Sequence, residues 1–195
     1  MDEVAQVDEV LFKIAMSDTD EGLSSALKKH LAPTLLKLTS QNEAVRKKVM
    51  ELLVHVNKRV KNNENVQLPM EALLDQYRDP SATSFVMNFT IIYLKMGFPR
   101  LPLDVKVQLI PNMLRSLDAK PASHQDSIIT LILPWLEHVK APTDNPGSYF
   151  TISYNISLCL KSKYAMQKVI RMCTKKYEFD KKDVLRLDFL GSISD

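Results

Sequence analysis

Three apolar doublets recur along the chain at a nearly constant interval: Leu35-Leu36, Leu73-Leu74 and Met113-Leu114, about 38 and 40 residues apart. A fixed period of this size is the mark of a chain built from repeated supersecondary units. Between the doublets, apolar residues fall at spacings of three and four, the period of an amphipathic helix. Each unit therefore reads as helix, short turn, helix. One such hairpin cannot bury its apolar side alone, so the units must stack and cover one another. The expected fold is all-α, an α-solenoid of stacked antiparallel helix pairs. The presence of only four glycines among 195 residues agrees, because strand-rich folds need more turn glycine.

Local signals place the pieces. Residues 4 to 16 put Val4, Val7, Leu11 and Ile14 on one face, a short capping helix. Asp18 with Glu21 predicts the start of the next helix, which holds Pro33 and is expected to kink there. Ser40 and Glu43 form an S-x-x-E capping box for "EAVRKKVMELLVHVNKRVK". On a helical wheel Val45, Val49, Leu52, Leu53, Val56 and Val60 share an arc of about 100°, the width of a core-facing stripe. The charges lie around the rest. In the second pair Pro69 suits a first helical turn, and Asp79-Pro80 predicts a cap and first position for "ATSFVMNFTIIYLKM". That helix is apolar on most of its circumference, so burial on two sides is expected, with Gly97 and Pro99 ending it. A third pair follows, with Pro111 inside its first helix and Ser123 and Asp126 as a capping box for its second. Without a following unit to stack on, residues 127 to 139 are expected to expose apolar surface.

Composition narrows the chemistry. With 26 basic and 23 acidic residues the net charge is +3, too balanced for a polybasic nucleic-acid binder. Cys159 and Cys173 fit no paired zinc spacing and no disulfide framework. The opening "MDEVAQVDEV" is acidic where a secretory leader would be basic and then apolar. The longest apolar runs, "FVMNFTIIYL" and "IITLILPWL", fall short of the ~18–20 residues of a membrane span. A soluble, cytoplasmic chain is expected, with the nucleus also open to it.

Nor do the residues nominate a reaction. His30, His55, His124 and His138 have no ligand-spaced partner, so no metal or cofactor is expected. "SALK" at Ser25 to Lys28 matches S-x-x-K but sits inside an amphipathic helix without the companion motifs. The sequons at Asn88 and Asn155 have no secretory context.

In detail the first unit, "LAPTLLKLTSQNEAVRKKVMELLVHV", resembles the HEAT pattern: proline in the first helix, a Leu-Leu doublet, a short polar turn and Val-Arg opening the second helix. "RDPSAT" is similar to the Asp-Pro turn of that pattern, although Phe85 stands where the second unit would carry its arginine. Because turn aspartate and arginine of adjacent HEAT units often pair, the resemblance implies an Arg46–Asp79 tie between repeats.

Several segments in order, including "VRKKVMELLVHVNKRVK", "QLPMEALLDQYRDPSATSFVMNFTIIYLKMGFPRLPLD" and "HQDSIITLILPWLEH", resemble the extreme N-terminus of a family of very large HEAT-repeat scaffolds associated with the 26S proteasome. The resemblance covers residues 1 to 140 and implies a non-enzymatic adaptor that bridges regulatory and core particles. Its partners would be proteasome subunits, with no nucleic acid, membrane insertion or small-molecule substrate. Members are many times longer, so only the first repeats would be present. Residues 1–140 are thus expected to form the repeat segment, about three helix pairs behind a capping helix. From about residue 143 the resemblance fades, and 141–195 is expected to be a divergent tail, partly helical or poorly ordered.

Two surfaces stand out for binding. One is the basic side of the third helix, Arg46, Lys47, Lys58, Arg59 and Lys61, whose plainest reading is a solvated face and whose functional reading is a contact for an acidic partner. The other is the "GFPR" turn, with Phe98 and Arg100, because inter-unit loops carry binding in solenoids. A karyopherin-like transport adaptor, binding cargo or a small GTPase, is the alternative of the same architecture.

Overall fold

A computed structural model describes residues 2–117 and 120–138. Seven α-helices make up the described chain, joined by turns and short 3-10 segments: α1 Glu3–Ala15, α2 Asp20–Leu36, α3 Glu43–Lys61, α4 Met70–Arg78, α5 Ser84–Gly97, α6 Leu103–Arg115 and α7 Ala122–Ile132. Among the described residues there is no strand. The chain is all-α, and its helices follow one another as the repeated pairs predict. It divides at Leu101/Pro102 into two compact units. The boundary expected near residue 140, and the tail beyond it, lie outside the described residues.

In the first unit α1 packs on α3 and α2, α4 packs on α5, and α2 lies against both α4 and α5. The predicted stripe of α3 is the centre of this packing: Val45, Val49, Leu52, Leu53, Val56 and Val60 are all buried. Each such side chain contributes roughly 1.5–3 kcal/mol on burial. Leu23, Leu27, Leu31 and Leu35 do the same for α2, and Leu73, Tyr77, Leu94 and Tyr93 for the second pair. Burial pushes both tyrosine phenols well above their ordinary range.

Helix starts differ from the expected ones by one to a few residues, each for a local reason. Asn42, not Ser40, caps α3, its side chain accepting from Ala44 N at 2.9 Å. Ser40 instead accepts from Asn42 N and donates to Glu3 on α1. Thr19 caps α2 by accepting from Gly22 N, and Thr83 caps α5 by accepting from Val86 N. Asp79 ends α4, and its carboxylate accepts from Ser81 N and Oγ, shaping the turn between the paired helices. Pro33 lies inside α2, which continues to Leu36.

Gly97 is the last residue of α5, and its role is closeness more than termination. A Cβ there would stand 2.7 Å from Met70 Sδ and 3.0 Å from Leu68 Cβ, so the end of α5 meets Leu68 and the start of α4 so closely that a side chain would force those neighbours to shift.

The second unit packs α6 against α7 and the 3-10 turn Leu133–His138. Its described core is Ile110, Met113, Leu114, Leu117, Ile128, Ile129 and Ile132. These three isoleucines are fully buried, so the apolar face expected to be exposed over residues 127 to 139 is covered at these positions. Lys106 is also buried, its ammonium 3.6 Å from the Trp135 ring centre, and burial lowers its pKa.

Candidate partner-binding surface

Of the basic residues on α3 and after α5, two turn inward. Arg59, in the last turn of α3, donates from both terminal nitrogens to the carbonyls of Ile14 and Ser17, at the end of α1. Arg100 repeats the arrangement one helix pair later: its Nη2 donates to Val60 O at 2.9 Å in the last turn of α3, and its Nη1 to Asn63 O at 2.9 Å and Val66 O at 3.4 Å in the loop that follows. The last carbonyls of a helix have no intrahelical donor and carry the negative end of its dipole. A planar guanidinium can satisfy two or three at once. These arginines therefore tie successive helix ends together, and their donors are spent inside the fold.

The tie expected from Arg46 to Asp79 is not made. Arg46 Nη1 donates to Ser40 O at 2.6 Å and to Gln41 O at 3.2 Å, closing its own turn, and among the described residues no ion pair joins it to Asp79. The connection between repeats is thus arginine to backbone instead of arginine to carboxylate. Phe98 is fully buried, so the turn after α5 presents neither of its two expected contact residues as a free surface. A second polar seam lies within the first unit, where Asn63 and Asn65 donate to Asp20 at the start of α2 and Gln67 N donates to Ser24 Oγ at 2.9 Å.

Lys47, Lys58 and Lys61 remain outward. Together with Met50 and Val54 they form one exposed stripe on α3, spaced three, four, four and three residues apart. Beside this stripe lies an open groove of about 830 Å³ whose walls include Leu38, Arg46, Met50, Val54 and, from α5, Phe85. Val54 is 65% exposed, Phe85 52% and Met50 40%. The ring of Phe85 meets Phe89 edge-on at 5.3 Å, which fixes it beside the groove. Ile92 extends the apolar line along α5 at 44% exposure. So α5, although packed by both α4 and α2, leaves one apolar strip uncovered. Two carboxylates also line the groove, each paired locally: Glu43 with Lys47 at 2.9 Å, and Glu51 with Lys48 at 2.9 Å. Lys48 also reaches Asp8 on α1 at 3.2 Å, and these two carboxylates raise its pKa.

Among the described residues no cluster of three or more His, Cys, Asp or Glu is placed to hold a metal, and no helix is long and apolar enough to cross a membrane.

Residues 7–175 match the family described as "Proteasome component ECM29, N-terminal". The match continues past residue 143, where the visible resemblance to known segments was expected to fade. The chain is 50% identical over 147 residues to the human "Proteasome adapter and scaffold protein ECM29", covering 75% of this chain and 8% of that protein. It is 40% identical over 142 residues to the Drosophila melanogaster "Proteasome-associated protein ECM29 homolog", covering 73% and 8%. To the Schizosaccharomyces pombe "Proteasome component ecm29" it is 30% identical over 156 residues, covering 80% and 9%. The chain thus spans less than a tenth of the length of these relatives. No solved structure gives a significant match. The repeated helix pairs and the sequence matches agree, and the chain belongs to the ECM29 N-terminal family of proteasome components.

Proposed function

We propose that this chain is a proteasome-binding scaffold segment, acting by protein–protein contact and not by catalysis. The observation that carries the reading is the 50% identity to a proteasome adapter and scaffold protein along three quarters of the chain. The physical means in this reading is an exposed apolar groove on the helices of the first unit, bordered by lysines. Its partners in this reading are subunits of the 26S proteasome, whose regulatory and core particles the whole scaffold would hold together in the cytoplasm and nucleus.

The test is sedimentation of the purified chain with purified 26S proteasomes through a density gradient. Comigration that is lost on competition with an unlabelled excess of the chain supports the reading. A chain that remains at the top of the gradient at every proteasome concentration contradicts it.

A further inference from the structure

The groove between α3 and α5 has a chemistry that selects its occupant. Its middle is apolar, with Met50, Val54 and Phe85 exposed and Leu38 buried beneath them. Contiguous exposed apolar side chains rimmed by charged residues are the kind of patch that marks an interaction site. The charges around it are not balanced. Glu43 and Glu51 are paired with Lys47 and Lys48. Arg46 hydrogen-bonds only neutral carbonyls, and among the described residues Lys58 and Lys61 have no carboxylate within ion-pair distance. Val54, Lys58 and Lys61 stand at i, i+4 and i+7, so the basic pair continues the apolar line by one and two helical turns. From Glu43 to Val54 the groove runs along about 16 Å of α3, the length of a three-turn helix.

We propose that this groove takes an amphipathic helical segment of a partner protein, apolar at i, i+3 or i+4 and i+7, with aspartates or glutamates clustered at the end that lies over Lys58 and Lys61. This is the helix-in-groove mode of recognition, with the apolar ridge supplying affinity and the acidic end fixing direction. The proposal deepens the scaffold reading and rests on it for the identity of the partner as a proteasome component.

The experiment selects a displayed library of random 15-residue peptides on the full 195-residue chain, then measures the enriched peptides in solution. The expected winners carry the apolar spacing and an acidic end. They bind Val54→Glu at least about tenfold more weakly and Lys58→Glu/Lys61→Glu at least about threefold more weakly, with binding further reduced by high salt. All three positions are exposed, and thermal melts matching the parent chain establish that both variants fold. Absence of any enriched sequence, winners without the acidic end, or equal binding to both variants would overturn the proposal. So would a concentration-dependent dimer broken by Val54→Glu, which would make a second copy of the chain the occupant. Gradient sedimentation with proteasomes keeps the two readings apart. If peptides lose binding to Val54→Glu while proteasomes bind it normally, the groove is not the proteasome contact, although the scaffold reading stands. If the parent chain binds the peptides but not proteasomes, the scaffold reading fails and the groove remains a helix site.

Discussion

The two faces of α3 use similar sequence material for opposite ends. Its inner face is six valines and leucines, all buried; its outer face sets Met50 and Val54 between Lys47 and the pair Lys58 and Lys61, all exposed. The contrast sharpens at two adjacent residues. Lys58 points to solvent, while Arg59 reaches two backbone carbonyls at the end of α1. Basic residues on one helix therefore cannot be pooled into a single surface. Whether a cation binds a partner or holds the fold depends on which carbonyls lie within its reach.

If the inner face carries stability and the outer face does not, substitutions should separate cleanly. The largest effect is expected from Leu52→Ala, which removes a fully buried side chain and should cost about 2–5 kcal/mol by denaturant unfolding. Arg100→Ala removes the guanidinium from the carbonyls of Val60, Asn63 and Val66, of which Val60 O keeps the backbone N–H groups of Asn62 and Asn63, and should cost about 1.5–3 kcal/mol. Arg100→Lys should recover only a fraction of that, because an ammonium cannot fork across the same acceptors. Gly97→Ala should cost about 1–3 kcal/mol through the close contacts with Met70 and Leu68, and an unchanged midpoint would show that this end of α5 yields more readily than its geometry implies.

A smaller effect concerns a histidine of the second unit. Burial, and then the charge of Lys120, holds the His124 imidazole below its usual range. Protonation therefore favours the unfolded chain. The stability that the neutral form confers is present above the ordinary histidine value of ~6.5 and is lost as pH falls through the lower folded value. Unfolding midpoints should decline from pH 7 to pH 5, and His124→Gln should lessen that decline, leaving the share of His30 in α2, whose imidazole burial and then Lys13 also hold below its usual range.

Much of this contrast was legible in the sequence. Periodicity alone located the six core residues of α3, because helical spacing has one solution for a stripe that wide. The ties were not legible in the same way. Arg59 and Arg100 recognise backbone carbonyls, which every residue possesses, so no side-chain pattern announces the partner. The recurrence of arginine near the end of successive second helices was the available signal. The Arg46–Asp79 expectation failed because the carbonyls of Ser40 and Gln41 lie nearer, within the residue's own turn. On α5, nearly continuous apolar sequence concealed a real asymmetry: Val86, Tyr93 and Leu94 are buried, whereas Phe85 and Ile92 are exposed. Composition measures how apolar a helix is, but only its neighbours determine which side they cover.

The division between the two faces is tested most directly by measuring proteasome binding for the parent chain, Val54→Glu and Arg100→Ala at a temperature where all three are folded. Val54→Glu should retain its unfolding free energy within about 0.5 kcal/mol yet lose binding, whereas folded Arg100→Ala should bind like the parent. Parent-like binding by Val54→Glu, with binding lost in folded Arg100→Ala, would contradict the assignment of the outer face to recognition and the arginines to the frame.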